Sequence, residues 1–157
     1  MPAQLFAKVR LRALEYAEYE GNVQEPETVY GETVHFQPNA NSVVDPSEAI
    51  VAWYQQQEAQ YDYNNPHYDA KYKDFLQLAS ATTKRYACSQ SMCTGSKPGV
   101  YTVCFYDPKY EAGNEAQNII EPAYELEGSG FASDVFLKSL TLRRQIPQQS
   151  AEFELVE

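Results

Sequence analysis

Between Tyr101 and Asn114 the chain reads YTVCFYDPKYEAGN, and this stretch limits the fold more than any other. Val103, Phe105 and the flanking Tyr101 and Tyr106 suit a buried strand. Asp107-Pro108 stops that strand, and Gly113-Asn114 supplies a turn. Upstream, Arg85 to Cys93 is a second extended run. Thr94-Gly95-Ser96-Lys97-Pro98-Gly99 joins the two, which predicts an antiparallel hairpin.

The remaining periodic segments surround this hairpin with helices. Phe6 to Glu20 carries Val9, Ala13, Tyr16 and Ala17 on one helical face and ends at Gly21-Asn22. Thr33 to Gln37 reads as a short strand, with Val34 and Phe36 on one side and Thr33 and a solvated His35 on the other. Asp45-Pro46-Ser47-Glu48 is a helix start, with Asp45 as cap and Pro46 in the first turn. Ile50, Trp53, Tyr54 and Tyr61 mark the buried stripe of that helix. Tyr72 to Ala81 is expected to form another. The order of elements predicts an α+β fold, a mostly antiparallel sheet with helices packed on it.

Length and charge bound the function. With 157 residues and 43% hydrophobic content, one domain with a full core is expected. A net charge of -10 leaves no cationic footprint for nucleic acid or an anionic membrane surface. No apolar run is long enough for a spanning helix, and MPAQLFAKVRLRAL places charges where the apolar part of a secretory signal should be. The 3 cysteines fit one extracellular bridge plus an odd thiol. Their spacing is not that of a zinc site, and no Gly-x-Ser-x-Gly elbow or cysteine–histidine pairing points to a nucleophile.

Several blocks, in order, resemble the CAP superfamily of cysteine-rich secretory proteins, venom antigens and pathogenesis-related proteins of the first class. Tyr30-Gly31-Glu32-Thr33 is similar to its Tyr-Gly-Glu-Asn motif. Ala52-Trp53-Tyr54 followed by Tyr61-Asp62-Tyr63-Asn64-Asn65-Pro66 resembles the helix and tyrosine loop of fungal secreted members. Lys73-Asp74-Phe75-Leu76-Gln77 stands in the place of Gly-His-Phe-Thr-Gln, and the Cys104 strand with its Gly113-Asn114 turn resembles the second signature. The likeness runs over about residues 5–122. It implies an α-β-α sandwich with a mostly antiparallel central sheet. Residues 1–124 would form a CAP domain lacking the family's first helix with its His-Asn pair, and 125–157 an extension of uncertain order.

Many members of the family hold two histidines and two glutamates in a central cleft. Carried over, those positions become Glu25, Glu32, Gln56 (or Glu58 after a two-residue shift) and Asp74. Both imidazoles are thus replaced by carboxylates, so a zinc site is expected to be lost. An all-oxygen set of Glu25, Glu32 and Asp74 would suit magnesium or calcium if any ion. Cys104 is expected to bridge to Cys88 or Cys93. The resemblance further implies a non-enzymatic extracellular protein that binds a small lipid, sterol or fatty acid, in export, defence or host interaction. Its site would be a mobile loop carrying Tyr61, Tyr63, Pro66 and Tyr68. The alternatives are a protein-interaction or effector module without a lipid ligand, and a divalent-metal-dependent hydrolase using Glu25, Glu32 and Asp74.

Overall fold

The computed structural model describes residues 2–25, 29–121 and 153–156. Its elements are helices and one sheet, an α+β arrangement. Helix α1 (Pro2–Glu18) is followed by strand β1 (Gly31–Pro38). Helix α2 (Pro46–Ile50) continues through a π turn (Val51–Gln55) into α3 (Gln56–Glu58). A 3-10 turn (Ala70–Tyr72) leads into α4 (Lys73–Ala79), the hairpin β2 (Arg85–Cys93) and β3 (Gly99–Asp107), and the short α5 (Glu115–Asn118). Strand β4 (Phe153–Val156) pairs parallel to β2. Apart from those four residues, the proposed extension 125–157 lies outside the described residues.

The sheet order is β1-β3-β2-β4, which makes β3 a central strand. Both β1 and β2 pair with it antiparallel, Thr33 opposite Cys104 on one side and Cys88 opposite Cys104 on the other. A central strand has an apolar layer on each face, and every residue from Gly99 to Tyr106 is buried. Alternation divides its side chains. Tyr101, Val103 and Phe105 pack with Leu5, Val9 and Ala13 of α1. Cys104 and Tyr106 join Trp53, Tyr54, Phe75 and Leu76 from the opposite helices. Helix α1 therefore covers one face of the sheet.

Helix α1 ends where Glu20 and Gly21 take positive φ (53° and 85°), and the Gly21 amide returns to the Tyr16 carbonyl at 2.9 Å. The left-handed turn stops it slightly earlier than the expected Glu20. Asp45 caps α2 through the Ser47 amide (2.9 Å). Trp53 Nε1 donates to the Val34 carbonyl (3.0 Å), which ties the helical segment to β1.

Alternation also selects the disulfide partner. Cys88 sits directly opposite Cys104 on the same face, with Cα atoms 4.1 Å apart, and the two are bonded. Cys93 is an odd number of residues from Cys88, faces α1 instead, and stays a buried free thiol. His35 departs from the expectation of a solvated side chain. It lies opposite Thr102, is only partly exposed, and its Nε2 is buried without a hydrogen-bond partner.

The bond closes a short loop within the hairpin, so C88A/C104A is expected to lose about 3 kcal/mol in urea melts at neutral pH. A double variant as stable as wild type would mean that the register alone holds the strands.

Candidate functional site

The Tyr-Gly-Glu and Phe-Leu-Gln blocks, far apart in sequence, meet in space. A Cβ on Gly31 would fall 1.9 Å from Gln77 Oε1, so only glycine lets the two segments approach. Gln77 is held in turn: its Oε1 accepts from the Tyr110 amide (2.9 Å) and its Nε2 donates to Thr83 Oγ1 (3.0 Å). Around this junction opens a cleft of about 410 Å³. Glu25, Glu32 and Asp74 line it, but Gln56 and Glu58 do not.

The wall beside Glu32 is built by α1. Arg12 is 7% exposed, an arginine at the edge of the helix's apolar stripe. Its Nε donates to Glu32 Oε2 at 2.7 Å, and its Nη2 donates to the Gln24 carbonyl at 2.6 Å. Nη1 lies 3.2 Å from Glu15 Oε1, and the guanidinium sits over the Tyr16 ring at 4.8 Å. The Tyr16 hydroxyl donates to Glu32 Oε1 (2.7 Å). Burial works against the charged guanidinium, but the hydrogen bond and attraction of Glu32 outweigh it and raise the Arg12 pKa. Burial and then the bond to Glu32 push the Tyr16 phenol upward as well.

Asp74 stands across the cleft in the first turn of α4. Gln57 holds it, donating from Nε2 to Asp74 Oδ2 (3.0 Å) while Gln57 Oε1 accepts from the Phe75 amide (3.0 Å). Burial raises the Asp74 pKa most, against the lowering effects of the Gln57 bond and Lys73, and Glu32 adds a further upward push. Gln57 is therefore the residue that reaches the carboxylate, rather than Gln56 or Glu58. Gln56 is exposed, and Glu58 accepts instead from the Tyr63 hydroxyl (2.7 Å). Gln57 follows directly on the π turn at Val51–Gln55, whose wider winding sets which way the residues after it face.

This donor set does not suit a resident metal. Both Glu32 oxygens are engaged, one by a guanidinium that would repel a second cation. Asp74 is held by an amide donor. Among the described residues, no group of three carboxylates, imidazoles or thiols could hold an ion. Neither zinc nor the hard-cation set of Glu25, Glu32 and Asp74 is consistent with that geometry.

The tyrosine loop is tightly braced. Tyr61 is 7% exposed and packs edge-on against Tyr63 (5.0 Å) and Tyr72 (5.2 Å), with Phe75 at 5.4 Å. Tyr63 is half-buried; burial first, then its bond to Glu58, raises its pKa. His67 Nδ1 donates to the Asn65 carbonyl (2.7 Å), which leaves Nε2 to accept from the Tyr72 hydroxyl (2.9 Å). Asp62 Oδ1 accepts from the Asn64 amide (2.9 Å), the local bond of an Asx turn. The expected mobile loop with free tyrosine faces is thus drawn into the core at Tyr61 and Tyr63. Only Tyr68, 46% exposed, presents itself, and it lines the cleft.

The sequence reasoning missed Arg12, Tyr16 and Gln57. For Arg12 the signal was available: it falls between Val9 and Ala13 on the buried side of α1, where a solvated cation would not sit.

No family model matches the chain. Over 97 residues it is 31% identical to Secreted protein RBT4 of Candida albicans, a likeness covering 60% of this chain and 24% of that protein. The chain spans about a quarter of that relative's length. The match supports a CAP-like relationship.

A carboxyl with a pKa raised by folding costs stability above that pKa, and the cost disappears as pH falls through it toward the ordinary value of 3.8. Asp74→Asn keeps the acceptor for Gln57 and removes the charge. Thermal melts should show the variant more stable than wild type at neutral pH, with the advantage fading in acid. A loss of stability at pH 7 would mean that the Gln57 and Lys73 contacts outweigh burial.

Proposed function

We propose that this chain is a non-enzymatic, extracellular CAP-type binding protein with the CAP α-β-α sandwich. The observation that carries the reading is the meeting of two motif blocks at one cleft. Gly31 packs against Gln77, while Glu32 and Asp74 line the same walls. The likeness to a secreted protein supports the extracellular setting, as does the Cys88–Cys104 bond. Among the described residues no helix is long and apolar enough to cross a membrane. Of the cleft's carboxylates, Glu32 is held by Arg12 and Tyr16 and Asp74 by Gln57, an arrangement that favours binding over proton transfer.

The finer proposal is a small lipid ligand, a sterol or fatty acid, taken at the loop. Of the four loop residues, Tyr68 is exposed and Pro66 partly so, while Tyr61 and Tyr63 pack against Phe75. Docking under the loop would require the Tyr63–Glu58 bond to open. That bracing favours a second reading, a protein-interaction module in which the closed loop is a rigid surface. Radiolabelled cholesterol distinguishes them. The lipid reading expects saturable binding to wild type and its loss in Tyr63→Ala/Tyr68→Ala. Absence of binding to the wild-type chain would remove the lipid and leave the interaction module.

A further inference from the structure

We infer that the cleft is a binding site for a neutral, polyhydroxylated ligand, a segment of an uncharged oligosaccharide. The walls exclude the other simple classes. Val23 and Val34 are the aliphatic members of a lining otherwise made of charged, amide and tyrosine side chains, so an apolar body would strand polar groups. Arg12, Lys73 and Lys109 face the same space as Glu25, Glu32 and Asp74. The formal charges of the lining balance, so the walls themselves single out neither an anion nor a cation, and the net charge of -10 on the chain further disfavours an anion.

What remains is a dense, mixed array of donors and acceptors. Ammonium groups only donate and carboxylates only accept, whereas each sugar hydroxyl does both and can bridge neighbouring groups of opposite kind. The array is also fixed in advance. Glu32 is held by Arg12 and Tyr16, Asp74 by Gln57, and Gln77 by Tyr110 and Thr83. Little side-chain freedom is then lost on binding, which matters for a ligand whose hydroxyls are equally well satisfied by water. At the rim, Tyr68 offers the exposed ring that the C–H face of a pyranose stacks on. The volume, about 410 Å³, falls in the range of small-ligand clefts.

Arg12 gives the site a further property. Glu32 is held by the Arg12 guanidinium and Asp74 by the Gln57 amide, so no divalent ion is needed to keep these two carboxylates in place. Binding should therefore be independent of metal.

This inference rests on the cleft alone and not on the lipid proposal, so either can fail without the other. Calorimetric titration of the full chain with neutral β-1,3-gluco-, α-1,6-manno- and chito-hexasaccharides tests it, with an oligogalacturonate and cholesterol as comparators. At least one neutral oligosaccharide should bind, with affinity unchanged by EDTA and nearly flat up to about 0.5 M NaCl. Tyr68→Ala should weaken that binding about tenfold. Tyr19→Ala, at an exposed tyrosine outside the cleft, should leave it unchanged. Both are surface substitutions, and circular dichroism confirms that the variants fold. Failure of all three neutral ligands overturns the inference. So does salt-sensitive binding of the oligogalacturonate alone, or binding indifferent to Tyr68→Ala and Lys109→Ala together.

Discussion

The burial of β3 on both faces is the constraint on which the rest of the molecule depends. A strand with Tyr101, Val103 and Phe105 on one side and Cys104 and Tyr106 on the other cannot be stable under a single layer. It requires α1 over one face and the α2–α4 segments over the other, and it requires partners along both edges. The Cys88–Cys104 bond fastens one edge and the Thr33–Tyr106 hydroxyl contact, at 2.9 Å, marks the other. The cleft is a consequence of this layering. It opens where the start of β1, the loop after α1 and the start of α4 converge, so each contributes polar side chains to it.

Within the cleft, the buried Arg12–Glu32 pair sets the chemistry. A carboxylate with 12% of its side chain exposed is costly without a counter-charge, and the guanidinium supplies one from the same chain. The pair spans from α1 to β1, so it also fixes the wall that Gln24 and Glu25 continue. Asp74, held by a neutral amide instead, keeps a raised pKa. The two carboxylates are therefore held differently, Glu32 by a guanidinium and a phenol and Asp74 by a neutral amide.

Much of the architecture was legible in the sequence because its signals are local. Asp45-Pro46 announces a helix start, and Thr94 to Gly99 a hairpin loop. The choice between Cys88 and Cys93 was open until register and alternation placed only Cys88 beside Cys104. Glu25, Glu32 and Asp74 were found by their motif positions. Gln57 was hidden because the motif offset carried over from the family falls on Gln56 or Glu58, and the π turn that sets which residue faces Asp74 is not written in residue types. Arg12 was hidden because a cation is ordinarily read as a solvated group. His35 misled for a related reason: its residue type suggests a solvated side chain, yet it is only partly exposed and its Nε2 is buried.

An internal guanidinium, coupled to Glu32, thus organises the cleft. A double-mutant cycle of Arg12→Met and Glu32→Gln, read as unfolding free energy in urea, addresses this most directly. Each single variant should fall by about 3 kcal/mol, because each leaves a largely buried charge without its opposite charge across the α1–β1 contact, and the double variant should recover most of that loss. Strictly additive losses would contradict the coupling, and with it the claim that this pair holds the site in place.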